Sequence, residues 1–517
     1  MGERRWAVAV VATTAMLGVA VVLWTTSWYG VGVSPDGVQY VCGARNLADG
    51  RGFIGYDGAP ITQWPPLYSA LLAAPAELGV DPLVSARWFG AGVFGLIVLV
   101  SGLWALKHSG SAGLSWAAAA LMLLSVALLG VSREVRSESL FLAVLLLFLW
   151  QAERVLATRS MGQVVLLGGI AALACLSRYV GVTLIGTGVV VLLVKPVGVR
   201  RRLIETAVFS VAAVLPLALW LVRNVAAAGR PAALLRSPTT ITAAENLRKV
   251  GETVWMWFLP EAVTARVPSM LLFGVFAAAV AAMLVVLVRR VGQGRPDVVA
   301  VLPMAVFVAI YTVGVVVLAS SVPVYPMSHR HLSPIYLPLM LSVVYAAGRV
   351  RARPGGWPHW RAVLIAALAV WLLVAGRRMM IEIREHRETG AGGFAHVRWD
   401  GSETIEAVRG LAAEAAIVSN APDAVYLFTG RTAGKSPRRF AEHFSDRVVT
   451  AQDLERFGGL LRSAGRVHLV WFKPNFRGYL LTPEELEKVY LLEPVGRYGD
   501  GVIYRVDVRG PSSRPSP

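Results

Sequence analysis

The sequence predicts an α-helical polytopic membrane protein with a small α/β domain in its C-terminal part. Of its 517 residues, 56% are hydrophobic and only 16% are charged, and the mean hydropathy is +0.58. The apolar residues form blocks of up to about 20, the length that crosses roughly 30 Å of hydrocarbon. After Glu382 the pattern changes to short apolar runs that alternate with amphipathic stretches, as in a soluble domain. These observations exclude a protein that is soluble throughout.

The apolar blocks predict roughly eleven transmembrane helices. The first block follows Arg4 and Arg5, and we interpret it as an uncleaved helix, because it is long for a signal peptide and no Ala-x-Ala site follows. Several of the later blocks are short for a full crossing. The blocks are 6–24, 88–106, 113–130, 140–156, 164–176, 180–194, 203–222, 270–288, 298–318, 335–347 and 362–374.

The connectors alternate in charge, as the positive-inside rule requires. One face of the membrane receives most of the connector Lys and Arg. We assign this face and the N-terminus to the cytoplasmic side of a bacterial-type plasma membrane. The opposite, extracytoplasmic face receives the loop 25–87, the cluster 133–138, the stretch 226–268, the tripeptide 329–331 and everything after about Met379. Much of the formal charge of +18 is therefore topogenic, and we predict no nucleic-acid partner. The cytoplasmic cations are Lys107, Arg154, Arg159, Lys195, Arg200, Arg201, Arg202, Arg289, Arg290, Arg295, Arg349, Arg351, Arg353 and Arg361.

The expected domains are a membrane domain over 1–380, an extracytoplasmic α/β domain over 381–510 and a Pro/Ser-rich disordered tail over 511–517. Apolar runs predict strands at 415–418, 467–472 and 502–506. Amphipathic stretches predict helices at 403–414, 451–463 and 483–490. Between them, the sequence from Asn420 to Gly430 predicts a further helix with Asn420 as its N-cap.

The first outer loop, 28–87, is the most informative segment. Asp36 follows shortly after the first membrane helix, and the spacing over 38–47 predicts a helix that begins near Asp36. Two roles are open for Asp36 at this point. It is either the N-cap of that helix, for which Asp is well suited, or a functional carboxylate at the outer membrane surface.

The arrangement of this loop resembles the GT-C superfamily of membrane glycosyltransferases, above all the protein O-mannosyltransferase-like and aminoarabinose-transferase-like families. Their pattern has an acidic residue after the first membrane helix, a Tyr, an Ala-Arg-like helix, a Gly-rich step and a Pro-Pro-Leu-Tyr-like sequence before the next helix. The matching elements here are Asp36, Tyr40, Ala44 to Leu47, Gly50 to Gly52 and Trp64 to Tyr68. Later elements that also resemble the superfamily are Ser137-Glu138, Ser177-Arg178 and His329-Arg330-His331.

The resemblance implies a GT-C fold and an enzyme that moves a sugar from a polyprenyl-phosphate donor to an acceptor on the extracytoplasmic face. It also implies inversion at the anomeric carbon. The sequence departs from the families at Gly37, where many members have a second acidic residue, and at Gln63-Trp64, where some have Glu-Lys. We predict no cofactor and leave a divalent metal ion open. The resemblance assigns the base to Asp36 and substrate binding to Tyr40, Arg45, Glu138, Arg178, His329 and Arg330.

The chemistry of such a transfer needs few groups. The leaving phosphate is a stable anion and requires cations, whereas the acceptor hydroxyl requires one base, so a single carboxylate suffices. Arginines at outer helix ends suit phosphate binding, although they also snorkel to headgroups at any interface. For Arg133 and Arg136, which alternate with Glu134 and Glu138, local ion pairing is the favoured interpretation. The candidate cations are Arg178, Arg330, His329, His331, Arg133 and Arg136.

Two other classes of function remain alternatives. A lipid or solute transporter or flippase would carry ionisable residues in helix centres or broken helices in corresponding halves. A non-catalytic membrane scaffold would leave the acid and arginines unexplained. The expected partners of the enzyme are the lipid-linked donor, surrounding membrane lipids and an acceptor that is a lipid, a polysaccharide or a protein.

Overall fold

The structure is a computed structural model that describes residues 2–232, 239–293, 298–322, 326–351, 358–464 and 466–508. Its membrane region consists of helices joined by short connectors and by the longer first outer loop. Within the described residues, the helices are α1 (Gly2–Thr25), α2 (Pro35–Ala48), α3 (Leu67–Ala76), α4 (Pro82–Ser109), α5 (Ala112–Leu123), α6 (Val126–Ser132), α7 (Ser137–Ala157), α8 (Met161–Ser177), α9 (Val182–Leu193), α10 (Val199–Ala228), α11 (Ala243–Met256), α12 (Glu261–Thr264), α13 (Ser269–Gly292), α14 (Leu302–Ala319), α15 (His329–Arg351) and α16 (Pro358–Thr389).

Every predicted apolar block overlaps a helix or a helix pair. Seven helices of the described chain are long and apolar enough to cross a membrane, or eight if α5 and α6 form one span bent by 56°. The bend has a local cause, because the Ser125 hydroxyl accepts a hydrogen bond from Leu128 N and starts a new helix. The chain is therefore a multi-pass membrane protein, and the number eleven stays a prediction.

Packing separates an inner core from a lipid-facing surface. Large aromatic side chains on α4, α7 and α14 are fully buried, including Phe94, Phe141, Phe148 and Phe307. In contrast, α10 exposes Val211, Leu219 and Val222 on its outer face, each by more than 60%. An apolar face of this kind is stable only against hydrocarbon or a partner surface.

The C-terminal domain, by which we mean residues 390–508, is built on a five-stranded mixed sheet. The strand order is β2-β1-β3-β5-β4, with β1, β2 and β3 parallel and the β3–β5 and β4–β5 pairs antiparallel. An α/β domain was predicted, and the observed sheet confirms it. The strands are β1 (Ala416–Ser419), β2 (Gly434–Lys435), β3 (Val467–Phe472), β4 (Tyr490–Tyr498) and β5 (Gly501–Val508), and the helices are α17 (Glu403–Arg409), α18 (Pro422–Thr429), α19 (Thr450–Ser463) and α20 (Pro483–Leu486).

Two local predictions in this domain are wrong. Ala421, not Asn420, is the N-cap of α18. The Asn420 side chain instead bonds the backbone of Phe472: its Nδ2 donates to Phe472 O at 2.8 Å, and its Oδ1 accepts from Phe472 N at 2.9 Å. The amphipathic stretch 483–490 forms only the single turn α20 and then enters β4. As for the domain boundary, α16 continues past residue 380 to Thr389, and the predicted tail 511–517 lies outside the described residues.

The predicted orientation leads to a test with reporter fusions. A reporter joined after Arg202 should lie in the cytoplasm, whereas one joined after Glu388 should lie outside, because the positive connectors retain the intervening helices in one orientation. Alkaline phosphatase and a fluorescent protein that matures only in the cytoplasm give opposite signals at the two sites. If both fusions report the same compartment, the orientation is wrong.

Candidate functional site

Four charged residues that lie far apart in the sequence meet at helix ends. Asp36 lies in the first turn of α2, Glu138 in the first turn of α7 and Arg330 in the first turn of α15, while Arg178 is the residue that ends α8. We call these four residues the ion network. The family resemblance named each of them separately, and the structure brings them together.

The N-cap alternative for Asp36 is wrong. Ser34 is the N-cap of α2, and its hydroxyl accepts a hydrogen bond from Gly37 N at 3.3 Å. Asp36 is then free to direct its carboxylate toward Arg330, whose Nη2 lies 3.0 Å from Asp36 Oδ2. The carboxylate is therefore available for chemistry without loss of the cap.

Glu138 bridges the two arginines of the network. Its Oε1 accepts a hydrogen bond from Arg330 Nε at 2.5 Å, and its Oε2 lies 2.5 Å from Arg178 Nη1. The Glu138 side chain is 2% exposed, whereas Asp36, Arg178 and Arg330 are 34%, 21% and 28% exposed. Arg330 thus contacts both carboxylates, and the buried Glu138 carboxylate holds both partly exposed guanidinium groups.

Tyr40 contacts the ion network through the hydroxyl of Ser137. Its hydroxyl lies 2.8 Å from the Ser137 hydroxyl, which also accepts a weak hydrogen bond from Arg178 Nη1 at 3.4 Å. The Tyr40 ring packs edge-on against Trp64 and Tyr68, so the Pro-Pro step between these two residues brings them against α2. Burial raises the pKa of the Tyr40 phenol, which therefore stays neutral and acts as a hydrogen-bonding support.

Three other residues that were predicted to bind substrate or to act as phosphate-binding cations have their hydrogen-bond or ion-pair partners outside the network. Arg45 forms an ion pair with Asp81 at 2.8 Å. Arg45 lies nine residues after Asp36 on α2, about 14 Å along the helix at a rise of about 1.5 Å per residue. His329 Nδ1 accepts a hydrogen bond from Trp257 Nε1, and His331 Nδ1 lies 3.1 Å from the Ser328 hydroxyl. Substrate binding by Arg45 and His329 remains a prediction.

The two arginines of the outer cluster before α7 have different partners. Arg136 pairs with Glu134 two residues away, as predicted. Arg133 does not, because it bonds Glu382 at 2.8 Å and His386 at 2.6 Å, both on α16. Local pairing was therefore the wrong interpretation for Arg133, which instead joins two segments about 250 residues apart.

The sequence analysis named Ser137 only as part of a family-like element and gave it no role, whereas its hydroxyl contacts both Tyr40 and Arg178. Among the described residues, no group of three or more His, Cys, Asp or Glu side chains could hold a metal ion. Arg330 lies between the carboxylates of Asp36 and Glu138, and this arrangement does not fit a cation there.

Comparison with known proteins identifies the fold. No protein-family model matches the chain, and no curated protein matches it significantly. Among solved structures, ArnT from Cupriavidus metallidurans bound to undecaprenyl phosphate superposes with a TM-score of 0.60 at 14% identity, covering 95% of this chain and 97% of that one. The apo state of ArnT gives 0.54 at 16% identity and 98% coverage of both chains.

A third similar structure is the archaeal oligosaccharyltransferase AglB from Archaeoglobus fulgidus, in complex with an inhibitory peptide and a dolichol-phosphate. It gives a TM-score of 0.52 at 12% identity and covers 91% of this chain and 70% of that one. Like these structures, the chain has a helical membrane region, and it carries a C-terminal α/β domain and a polar site at helix ends. The chain has the GT-C fold, which confirms the resemblance seen in the first loop.

Proposed function

We propose that this protein is an integral-membrane glycosyltransferase that moves a sugar from a polyprenyl-phosphate donor to an acceptor on the extracytoplasmic face. The observation that carries the proposal is the ion network, in which one partly exposed carboxylate, Asp36, adjoins a guanidinium oriented by the buried Glu138. Similar structures contain undecaprenyl phosphate in ArnT and dolichol-phosphate in AglB, which supports a lipid-phosphate donor here.

The two arginines are suited to the donor phosphate. Arg178 and Arg330 lie at the ends of apolar helices, where the phosphate of a membrane lipid is found, and both remain partly exposed. A guanidinium offers a planar fork of N–H donors that matches phosphate oxygens. Because both guanidinium groups already contact Glu138, little reorganisation is required when the phosphate binds.

The proposed reaction is a single displacement with inversion. The acceptor oxygen attacks the anomeric carbon and forms the new glycosidic bond, while the bond from this carbon to the phosphate oxygen breaks. The acceptor hydroxyl proton passes to the Asp36 carboxylate, and the polyprenyl phosphate leaves as an anion held by Arg178 and Arg330. A general acid is unnecessary, in contrast to glycoside hydrolysis, where the leaving group is a poor one.

A transporter is the less favoured function. Transporters place ionisable groups near the middle of the membrane. Here the four charges meet at helix termini, and elsewhere in the described chain the buried pair Lys195 and Glu205 lies beside the predicted cytoplasmic connector. The acceptor class stays open between lipid, polysaccharide and protein.

Binding of undecaprenyl phosphate to the purified protein tests the donor assignment. This lipid should raise the midpoint of thermal unfolding of the wild type, and Arg178→Ala or Arg330→Ala should remove most of that rise, since each loses a charged hydrogen bond to phosphate. Lys variants should restore it only partly because Lys lacks the fork. Arg51→Ala is the control for loss of a guanidinium, since Arg51 is exposed in the first outer loop and, within the described residues, forms its ion pair with Asp49. Equal stabilisation of all variants would show that neither arginine holds the phosphate.

A further inference from the structure

Three short segments pair directly before the ion network. Residues 31–33 lie between residues 133–135 on one side and residues 391–394, which we call the linker segment, on the other. Gly32 N donates to Arg133 O at 2.9 Å, and Val135 N donates to Gly32 O at 2.8 Å. On the opposite side, Val33 N donates to Gly392 O at 3.2 Å and Phe394 N donates to Val33 O at 2.7 Å.

The register of this pairing relates the two carboxylates. Gly32 and Glu134 are partners in a parallel bridge. Asp36 follows Gly32 by four residues, and Glu138 follows Glu134 by four residues. The helices α2 and α7 therefore begin side by side, with one carboxylate in the first turn of each, and Arg330 spans the gap between them.

The linker segment is in close contact with the residues that precede Asp36. Gly393 has φ +60°, and a Cβ atom there would lie 2.1 Å from Val33 O. At Gly32, a Cβ atom would lie 2.6 Å from Ala391 O. The side chain of Phe394 is anchored in the C-terminal domain by rings at 5.3 Å (Trp399) and 6.4 Å (Phe476). Any shift of the linker segment would therefore be transmitted to the start of α2.

We propose that the linker segment of the C-terminal domain positions Asp36, with Gly393 as a positioning residue that sets the distance from Asp36 to Glu138. This inference rests on the proposed function, in which Asp36 is the base. It gives the C-terminal domain a part in assembling the catalytic site, separate from any recruitment of the acceptor.

Gly393→Ala should lower kcat by about 10²-fold, the typical cost of displacing a reacting group by about 1 Å, and leave the donor KM unchanged. The matched control is Gly401→Ala, since Gly401 has nearly the same backbone conformation, φ +66°, but open space at its Cβ. Ala is strained by the positive φ at both positions, so the two variants differ in the clash of the new Cβ atom with Val33 O. The assay follows loss of labelled sugar from polyprenyl-phosphate pentose and hexose donors in membranes. A kcat for Gly393→Ala equal to that of Gly401→Ala, or a raised KM with unchanged kcat, would overturn the inference.

A second pair of variants covers the case in which Gly393→Ala does not fold. Phe394→Leu loosens the linker segment without adding an atom, whereas Phe428→Leu removes a ring from the same Trp399 cluster at a residue that does not pair with Val33. Only Phe394→Leu should lower kcat at an unchanged KM, and equal rates for the two variants would contradict the inference. Asp36→Asn in the same assay separates the two proposals. If Asp36→Asn is inactive but each test variant has the same kcat as its control, only the positioning inference fails. If Asp36→Asn is active, the proposed function fails.

Discussion

Asp36→Asn is expected to lower the rate of sugar transfer by about 10² to 10⁴, the usual cost of losing a general base. Asn keeps the shape of the side chain but cannot accept the proton of the acceptor hydroxyl. The fold should be retained, because Ser34 and not Asp36 caps α2. Asp36→Ala should be inactive as well, because it also lacks the base. It should be present at normal abundance, because it keeps the cap and so avoids the loss of roughly 1 kcal/mol of stability that follows removal of a cap. Transfer is measured in membranes with polyprenyl-phosphate sugars.

Asp49→Asn is the matched control for this experiment. Asp49 follows the other end of α2 and pairs with the exposed Arg51, outside the ion network. It should transfer sugar like the wild type, so a loss specific to Asp36 reports on the reaction. Wild-type transfer by Asp36→Asn would remove Asp36 as the base.

Glu138→Gln is expected to have the second largest effect, on both stability and transfer. Removal of one partner from a buried ion pair costs about 3 to 5 kcal/mol, and the partial exposure of Arg178 and Arg330 places this loss at the lower end. Without the bridging charge the two guanidinium groups repel each other and lose their orientation, so donor use should fall together with the midpoint of thermal unfolding.

Glu153→Gln provides the comparison on the same helix. Glu153 also contacts two cationic side chains, Lys107 at 2.6 Å and His108 at 3.2 Å, but at the opposite end of α7, where Lys107 is half exposed. Pairs of this kind contribute about 0 to 1 kcal/mol. Equal effects of Glu138→Gln and Glu153→Gln on unfolding and transfer would show that Glu138 has no special role.

The helices and the candidate residues of the first outer loop could be predicted because their signals are local. An apolar block of about 20 residues specifies a membrane helix whatever surrounds it, and every such block overlaps a helix here. The residues of the ion network lie in the parts of the chain that resemble the GT-C superfamily. Asp36, Glu138, Arg178 and Arg330 could therefore be named before the structure was known, although only as separate candidates.

The remaining features depend on contacts that no local pattern contains. Arg133 has two acidic residues nearby in sequence, yet it pairs with Glu382, because the end of α6 packs against α16. Strand β4 exposes much of its length, and its short apolar start, Tyr490 to Leu492, adjoins the amphipathic stretch that was predicted to be a helix. Strand β2 is only two residues long, so neither strand carries a clear signal. The linker segment also carries no local signal in the sequence. Its pairing with Val33 brings together residues about 360 positions apart, and the glycines that permit it look like ordinary turn residues in the sequence.

The central claim is that the ion network forms the donor phosphate site next to the base. The most direct measurement is an experimental structure of the full chain with undecaprenyl phosphate. We expect its phosphate oxygens to accept hydrogen bonds from both Arg178 and Arg330 at about 2.7–2.9 Å, with the Asp36 carboxylate facing the leaving oxygen across the space for a sugar ring. A phosphate bound elsewhere, with the contacts of Arg330 to Asp36 and Glu138 unchanged, would contradict the account.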